Sequence, residues 1–308
     1  MPTPRAAVDV GSNSVRLLVV AGDGARLTRE MVITRLAAGV DATGHLDDLA
    51  LARTLATIAG FREVWRSHGV EDRVRIAATS AVRDAADRER FFDGVHAETG
   101  VEAEVITGEE EARLAFLGAA TAVEVARPTA VIDIGGGSTE LIVGDSDGEV
   151  AASVSLQLGC VRVTERHLAA DPPSADQLRS ARAMIEAQLD RAETVLAEQG
   201  VEITQASSLI GVAGTATTLG AIHLGLPTYD EDRIHRTRLP AVALADMAER
   251  LAGMTSSQRA MLGPVQPGRE DVIHGGALVL HAVLARMGLD EVTISEADNL
   301  DGLAASLA

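Results

Sequence analysis

The chain contains the same fourteen-residue pattern twice. Residues 7–20 recur as residues 131–144, so that Asp9 is equivalent to Asp133 at an offset of 124 positions (133 − 9). In each copy an apolar run ends in an aspartate, a turn of small residues follows, and a second apolar run leaves the turn. Apolar runs bounded by glycine and serine predict two strands joined in a hairpin. A repeated hairpin constrains the fold strongly, because it requires two similar subdomains.

The length and the pattern around the hairpins agree with this division. A chain of 308 residues with 46% hydrophobic content usually forms two domains of about 100–200 residues each. Strands and helices alternate in both halves, which predicts an α/β fold with partly parallel sheets whose ligands bind beyond the carboxyl ends of the strands. We therefore predict domains at residues 1–124 and 125–308, with the last helix packing back on the first domain. The segments expected outside the hairpins are helices at 46–68, 86–99 and 174–199 and strands at 74–78, 101–106, 208–212 and 292–295.

Composition narrows the classes of function. The formal net charge is −18 and the 27 basic residues are all arginine, which argues against a nucleic-acid-binding surface and excludes a P-loop, because that motif needs a lysine. The single cysteine, Cys160, cannot form an internal disulfide and suits a reducing compartment. No charged leader and no apolar run of about 18 residues is present. The expectation is a soluble, cytoplasmic protein without nucleic-acid or membrane partners.

The two turns are candidate anion sites. Gly11 to Ser14 follow Asp9, and Gly135, Gly136, Gly137 and Ser138 follow Asp133. Successive N–H groups of such turns form an anion-binding concavity, and glycine lets the backbone approach an anion closely. A single aspartate before such a turn more often stabilises the turn itself. The duplication of acid, turn and strand favours a functional interpretation.

Charged residues near the turns extend the candidate site. Arg16 and Glu140 occupy equivalent places in the two exit strands, which suggests arginine for phosphate oxygens and glutamate for a metal or its waters, the alternative being two solvated strand residues. Arg83 is a further candidate for bidentate phosphate binding. Because carboxylates repel a polyanion, the site needs a divalent cation, and we expect Mg²⁺ held by Asp9, Asp133 and Glu140.

Between the hairpins, residues 106–114 predict the start of a helix. Thr107 and Glu110 have the spacing of a capping box. Glu111 falls on an otherwise apolar helix face, where an acid is either paired or catalytic. A carboxylate beside a phosphate site could orient or deprotonate an attacking water.

At these residues the chain resembles the exopolyphosphatase/guanosine pentaphosphate phosphohydrolase (Ppx/GppA) family, a branch of the actin, sugar kinase and Hsp70 ATPase superfamily. The resemblance runs from Ala7 to Leu307. The two hairpins, the segments 78–83 and 108–113, Gly214 and Thr215, and the segment 271–276 carry it.

The resemblance implies two actin-like (ribonuclease H-like) domains around an interdomain cleft, Mg²⁺ dependence, and hydrolysis of the terminal phosphoanhydride of inorganic polyphosphate. By this likeness Glu111 is the catalytic base and Asp133 and Glu140 handle metal and water. Family members of this kind pair as homodimers. They also include forms with a helical C-terminal region that this sequence lacks, so we expect a preference for short polyphosphates. The expected phosphate contacts are Asp9, Gly11, Ser12, Asn13, Ser14, Arg16, Arg83, Gly135, Gly136, Gly137, Ser138, Gly214 and Thr215.

Three alternatives remain open at this point. Within the same chemistry, the substrate could be guanosine pentaphosphate (pppGpp), converted to ppGpp by a 5′-phosphohydrolase. A second class is an ATP-using kinase or chaperone-like ATPase, which would bind nucleotide at the third glycine turn, residues 211–217. A third is an inactive scaffold, which four carboxylates beside an anion site disfavour.

Overall fold

The computed structural model describes residues 3–145 and 149–307. The predicted domain ranges also include residues 1, 2, 146–148 and 308, which lie outside the described residues. The strands are β1 Arg5–Val10, β2 Ser14–Val20, β3 Arg26–Ile33, β4 Val74–Ala78, β5 Ala103–Val105, β6 Thr129–Ile134, β7 Thr139–Gly144, β8 Val150–Leu156, β9 Ser208–Val212, β10 Arg238–Pro240 and β11 Glu291–Ile294. The helices are α1 Val40–Thr43, α2 Asp48–Ser67, α3 Ser80–Asp84, α4 Glu89–Thr99, α5 Gly108–Ala122, α6 Cys160–His167, α7 Ala175–Glu198, α8 Ala213–His223, α9 Glu231–Ile234, α10 Ala241–Gly253, α11 Ser256–Ala260, α12 Ile273–Met287 and α13 Asn299–Ala305.

The chain divides into two compact units. Unit 1 comprises residues 1–114 and 299–308, and unit 2 comprises residues 115–298. The division falls inside α5, earlier in the chain than the predicted boundary at 124/125, and α13 belongs to unit 1. None of the helices in the described ranges has both the length and the hydropathy needed to cross a membrane.

Unit 1 is built on a sheet with the strand order β3-β2-β1-β4-β5, in which β1 pairs antiparallel with β2 and parallel with β4. All six residues of β1 are buried, because neighbouring side chains point to opposite faces and both faces are covered. On one face Val8 packs in a cluster with Ile58 of α2 and Phe91 of α4. On the other face Ala7 packs with Leu300 and other residues of α13. The sheet therefore holds the end of β1, where the first turn begins, between two helical layers.

Helix α13 is held at its C-terminal end by arginines of β1 and β4 and by Arg73, the residue before β4. Arg5 Nε donates to the carbonyl of Ala304 at 2.8 Å, Arg73 donates to the carbonyl of Leu307, and Arg75 donates to Ser306 Oγ at 2.7 Å. Cations stabilise the negative end of a helix and satisfy its last carbonyls. These contacts fix the last segment of the chain in unit 1.

Unit 2 repeats the sheet of unit 1 with one additional strand. Its strand order is β10-β11-β9-β6-β7-β8. Strands β6, β7 and β8 form an antiparallel meander like that of β1, β2 and β3, and β9 and β11 continue the sheet in parallel beyond β6. The core packs the sheet against α7, α8, α10 and α12, with Ile132 and Leu141 from the hairpin and Ile185 and Leu189 from α7. Even the irregularity recurs: the register shifts at Val19/Val20 in unit 1 and at Val143/Gly144 in unit 2. The offset of 124 seen in the sequence is thus also the offset of the backbone.

Candidate active site

The two turns have the same backbone geometry. The N–H of Gly11 donates to the carbonyl of Ser14 at 3.0 Å, and the N–H of Gly135 donates to the carbonyl of Ser138 at 3.0 Å. A Cβ at either glycine would lie only 3.2–3.3 Å from that serine carbonyl, a spacing that favours glycine at the first position of each turn. Both turns follow the first strand of a sheet at its carboxyl end, as predicted.

In unit 1 the turn is tied to the neighbouring strand end. Ser12 Oγ and Ser80 Oγ are 2.8 Å apart, and the N–H of Thr79 donates to the carbonyl of Val10. Asn13 is 7% exposed, and neither its Oδ1 nor its Nδ2 hydrogen-bonds another part of the described chain. Buried side-chain amides normally have hydrogen-bond partners. The Asn13 side chain is therefore suited to hydrogen-bond a ligand.

Asp9 and Arg16 are directly opposite each other on β1 and β2. Arg16 donates to Asp9 Oδ2 from Nε at 3.0 Å and from a terminal nitrogen at 2.5 Å, and the same terminal nitrogen lies 2.5 Å from Asn299 Oδ1. The Arg16 side chain is 13% exposed, so it is not a solvated strand residue. Arg16 holds Asp9 and the start of α13; its phosphate contact and the metal contact of Asp9 stay predictions.

Glu111 and Arg83 also meet in unit 1. Glu111 is buried at 5% exposure in the first turn of α5, with one carboxylate oxygen 3.6 Å from the Arg83 guanidinium. Arg83 also donates to the carbonyl of Ile106 at 3.2 Å, and this hydrogen bond fixes its guanidinium beside the start of α5. The arginine is therefore placed to orient the predicted base, and its own contact with phosphate stays a prediction.

The capping box before α5 is only half formed. Thr107 Oγ1 accepts from the N–H of Glu110 at 3.1 Å. The Glu110 side chain is paired with Arg75 at 2.6 Å, so that this acid links α5 to β4. Glu110 consequently has a structural role, which separates it from its neighbour Glu111.

In unit 2 two carboxylates are directly opposed. Asp133 on β6 and Glu140 on β7 are cross-strand partners with 4% and 1% exposure, and Ser155 Oγ lies 2.8 Å from Glu140 Oε1. Like charges directly opposite each other destabilise a sheet, and buried charges need compensation. Two carboxylates with hard oxygen donors are the ligand set that Mg²⁺ commonly takes from a protein, with waters completing its shell. The residues therefore fit the predicted cation, although no cluster of three or more His, Cys, Asp or Glu side chains suited to a metal occurs in the part of the chain that the structure describes.

Residues 211–217, predicted as a third glycine turn, are the end of β9 and the start of α8, because the chain enters the helix directly at Ala213. A buried arginine that sequence reasoning missed lies against this junction. Arg269 is 7% exposed, and its guanidinium occupies the space that a Cβ on Gly214 would need. The preceding Ala213 has a φ of 59°, a left-handed conformation that costs about 1–2 kcal/mol without glycine and often marks functional sites. Thr215 Oγ1 donates to the carbonyl of Ile134 at 3.1 Å, which joins the start of α8 to the strand before Gly135.

No sequence signal pointed to Arg269. Its segment lies between helices without periodicity, and an arginine there looks like any solvated residue. Only its burial against Gly214 at the start of α8 distinguishes it, and burial of this kind is a tertiary property. The phosphate contacts of Gly214 and Thr215 stay predictions.

Two sheets that begin with the same antiparallel meander, each followed by parallel strands and each with a glycine turn after its first strand, place the protein in the actin-like class of α/β proteins. The chain belongs to the Ppx/GppA phosphatase family, whose family model matches residues 19–307.

Individual relatives cover almost the whole chain. Exopolyphosphatase 2 of Mycobacterium tuberculosis is 44% identical over 98% of both chains. The crystal structure of an exopolyphosphatase-like protein matches with a TM-score of 0.94, 36% identity and 98% coverage of both chains. An exopolyphosphatase from Cytophaga hutchinsonii matches with a TM-score of 0.87 and 25% identity, over 99% of this chain and 98% of the other. The predicted family and fold class are confirmed.

Proposed function

We propose that the protein is an exopolyphosphatase, which releases inorganic phosphate from the end of polyphosphate and leaves a chain one phosphate shorter. The observation that carries the proposal is the buried Asp133–Glu140 pair beside a turn of three glycines, in a member of a phosphatase family. The similarity to an exopolyphosphatase at 44% identity supports polyphosphate as the substrate. Nothing specific favours pppGpp.

The proposed chemistry is in-line hydrolysis. Glu111 accepts a proton from water as the water oxygen attacks the terminal phosphorus, the bridging P–O bond breaks, and the shortened chain leaves with the bridging oxygen as an anion. General base catalysis by a positioned carboxylate typically contributes about 10²–10⁴-fold. Arg83, 3.6 Å from Glu111 and braced on Ile106, keeps the carboxylate oriented.

Substrate binding rests on the turns. The N–H groups after Gly11 and Gly135 bind phosphate oxygens, and Asn13 supplies an amide. Asp133 and Glu140 would hold Mg²⁺, which when bound neutralises phosphate charge and stabilises the charge that develops during transfer. The formal charge of −18 makes such local compensation necessary, because the chain as a whole repels a polyanion.

Glu111→Gln tests the role of the base. The variant keeps the shape and removes the proton acceptor, so we expect the rate of phosphate release to fall about 10²–10⁴-fold in a protein that remains folded. Glu110→Gln is the matched control, because Glu110 pairs with Arg75 at the surface, and it should keep nearly full activity. A Glu111→Gln enzyme with the wild-type rate would refute the assignment.

The substrate is tested with a panel of short and long polyphosphates, pppGpp and ATP, each with Mg²⁺ and with EDTA. We expect Mg²⁺-dependent phosphate release from polyphosphate, with short chains favoured. Faster turnover of pppGpp than of any polyphosphate would overturn the proposed substrate. Activity that persists fully in EDTA would overturn the proposed cation.

A further inference from the structure

The carbonyl groups of the three glycines of the turn in unit 2 are bound by the start of α6. The N–H of Cys160 donates to the carbonyl of Gly135 at 2.9 Å, and the N–H groups of Val161 and Arg162 donate to that of Gly136 at 3.0 and 3.1 Å. Arg162 Nε donates to the carbonyl of Gly137 at 2.7 Å. The first amides of this helix, which usually attract anions, are therefore occupied by the turn.

In unit 1 two carbonyl groups of the turn are bound by another segment. The N–H of Ala37 donates to the carbonyl of Ser12 at 2.8 Å, and the N–H groups of Thr34 and Arg35 both donate to that of Asn13 at 3.0 Å. The donating segment follows β3 in unit 1 and β8 in unit 2, the third strand of each meander. In both units, therefore, the segment after the third strand binds carbonyl groups of the turn, although the two segments differ in sequence and in their individual hydrogen bonds.

These hydrogen bonds determine which way the turn amides face. In a trans peptide the C=O and N–H groups point in opposite directions. Holding the carbonyls of Gly135, Gly136 and Gly137 against α6 therefore turns the N–H groups of Gly136, Gly137 and Ser138 to the other side. Three adjacent N–H groups on one side form the concavity that binds phosphate oxygens.

Close packing at Gly159 makes this arrangement possible. A Cβ on Gly159 would collide with the carbonyl group of Gly136 and lie 2.6 Å from the nitrogen of Gly137. The φ of Gly159 is −138°, extended backbone that any residue adopts, so only space requires glycine here. The atoms in the way belong to the turn backbone, and a side chain at 159 would have to displace the turn itself.

We propose that Gly159 and Arg162 are positioning residues for catalysis: they lock the carbonyls of residues 135–137 against α6 so that the turn presents preorganised N–H groups to phosphate. The expected effect on catalysis rests on the proposed function. Preorganised N–H donors contribute strongly to transfer reactions because they need no reorganisation as charge develops. Helix α6 thereby has an indirect role, since the helix holds the turn and does not itself bind substrate.

Gly159→Ala is the first test, with Gly253→Ala as the matched control because a Cβ at Gly253 meets nothing within 4 Å. We expect kcat/KM for polyphosphate to fall at least about tenfold in Gly159→Ala, from a higher KM and a lower kcat together, and to stay unchanged in the control. Hydrogen exchange of the peptide containing residues 135–138 should become faster in Gly159→Ala only. Wild-type kcat/KM and wild-type exchange in a folded Gly159→Ala protein would overturn the proposal.

Arg162 supplies a second test that does not introduce a clash. Loss of one hydrogen bond from a charged donor changes an equilibrium by about 10- to 100-fold, so Arg162→Met should lower kcat/KM by about that factor and speed exchange of the 135–138 peptide. Arg162→Lys should restore most of both. If Arg162→Met leaves both readouts at wild-type values, the proposal is refuted even if Gly159→Ala fails to fold.

The exchange measurement separates this inference from the proposed function. A wild-type protein that releases no phosphate from polyphosphate would refute the proposed function. The exchange rates of the variants would still decide whether Gly159 and Arg162 hold the turn in place.

Discussion

At equivalent cross-strand positions, unit 1 has a pair of opposite charges and unit 2 has a pair of like charges. This difference gives a quantitative test of the site. In unit 1 the pair is Asp9 with Arg16, at 2.5 Å. In unit 2 it is Asp133 with Glu140, directly opposed and almost fully buried. Removing one charged partner should therefore stabilise one unit and destabilise the other.

The magnitudes follow from the geometry. The Cβ atoms of directly opposed residues lie about 5 Å apart, and two like unit charges at a similar separation repel by about 3 kcal/mol at an effective dielectric constant of about 20. Glu140→Gln removes this repulsion and keeps an oxygen that can accept from Ser155. In EDTA the variant should be more stable than wild type by up to about 3 kcal/mol. Arg16→Met leaves Asp9 buried and should cost about 3 kcal/mol or more.

The assay is urea unfolding of wild type and both variants, each with EDTA and with Mg²⁺, alongside phosphate release. Ligand binding to the folded state adds stability, so Mg²⁺ should stabilise wild type and leave Glu140→Gln unchanged, while the same variant loses activity. The reasoning is refuted if Glu140→Gln is no more stable than wild type in EDTA. It is equally refuted if Mg²⁺ stabilises both proteins to the same extent.

Two further predictions concern stability. Burial lowers the pKa of His274 from 6.5 to about 4, so the unfolded chain binds a proton that the folded chain does not. Stability should therefore fall as the pH drops from about 6.5 toward 4, by about 2 kcal/mol at pH 5. Urea unfolding of His274→Leu should show a flatter pH profile than wild type, and an unchanged profile would contradict the assignment. Gly302→Ala would place a Cβ 2.8 Å from the carbonyl carbon of Leu114, and calorimetry should show a destabilisation of about 1–3 kcal/mol. The control is Gly60→Ala, whose Cβ meets nothing within 4 Å and which should be neutral or stabilising by up to about 1 kcal/mol. Equal effects of the two substitutions would contradict the packing argument.

Much of the secondary structure could be predicted because its signals are local. The strand at 208–212 is observed with those bounds, and the long helix expected at 174–199 is α7, capped by Ser174 and Gln177 as a full capping box. The box expected at Thr107 is incomplete, because Arg75 from β4 draws the Glu110 side chain away. Ends of elements depend on such competing partners, which local sequence does not reveal.

By itself, the sequence determined the duplication, the hairpins and the positions of the acids and glycines, since strand period and turn chemistry act over a few residues. It also marked Glu111 as an acid on an apolar helix face. Only the tertiary structure decided what these groups contact: Arg16 holds Asp9 and Asn299, Arg269 lies against Gly214, and the turn carbonyls are bound by segments that follow the third strand of each sheet. Apart from the Arg16–Asp9 pair, which lies within one hairpin, these contacts join separate segments of the chain. Their geometry follows from how the layers pack, which no local pattern encodes.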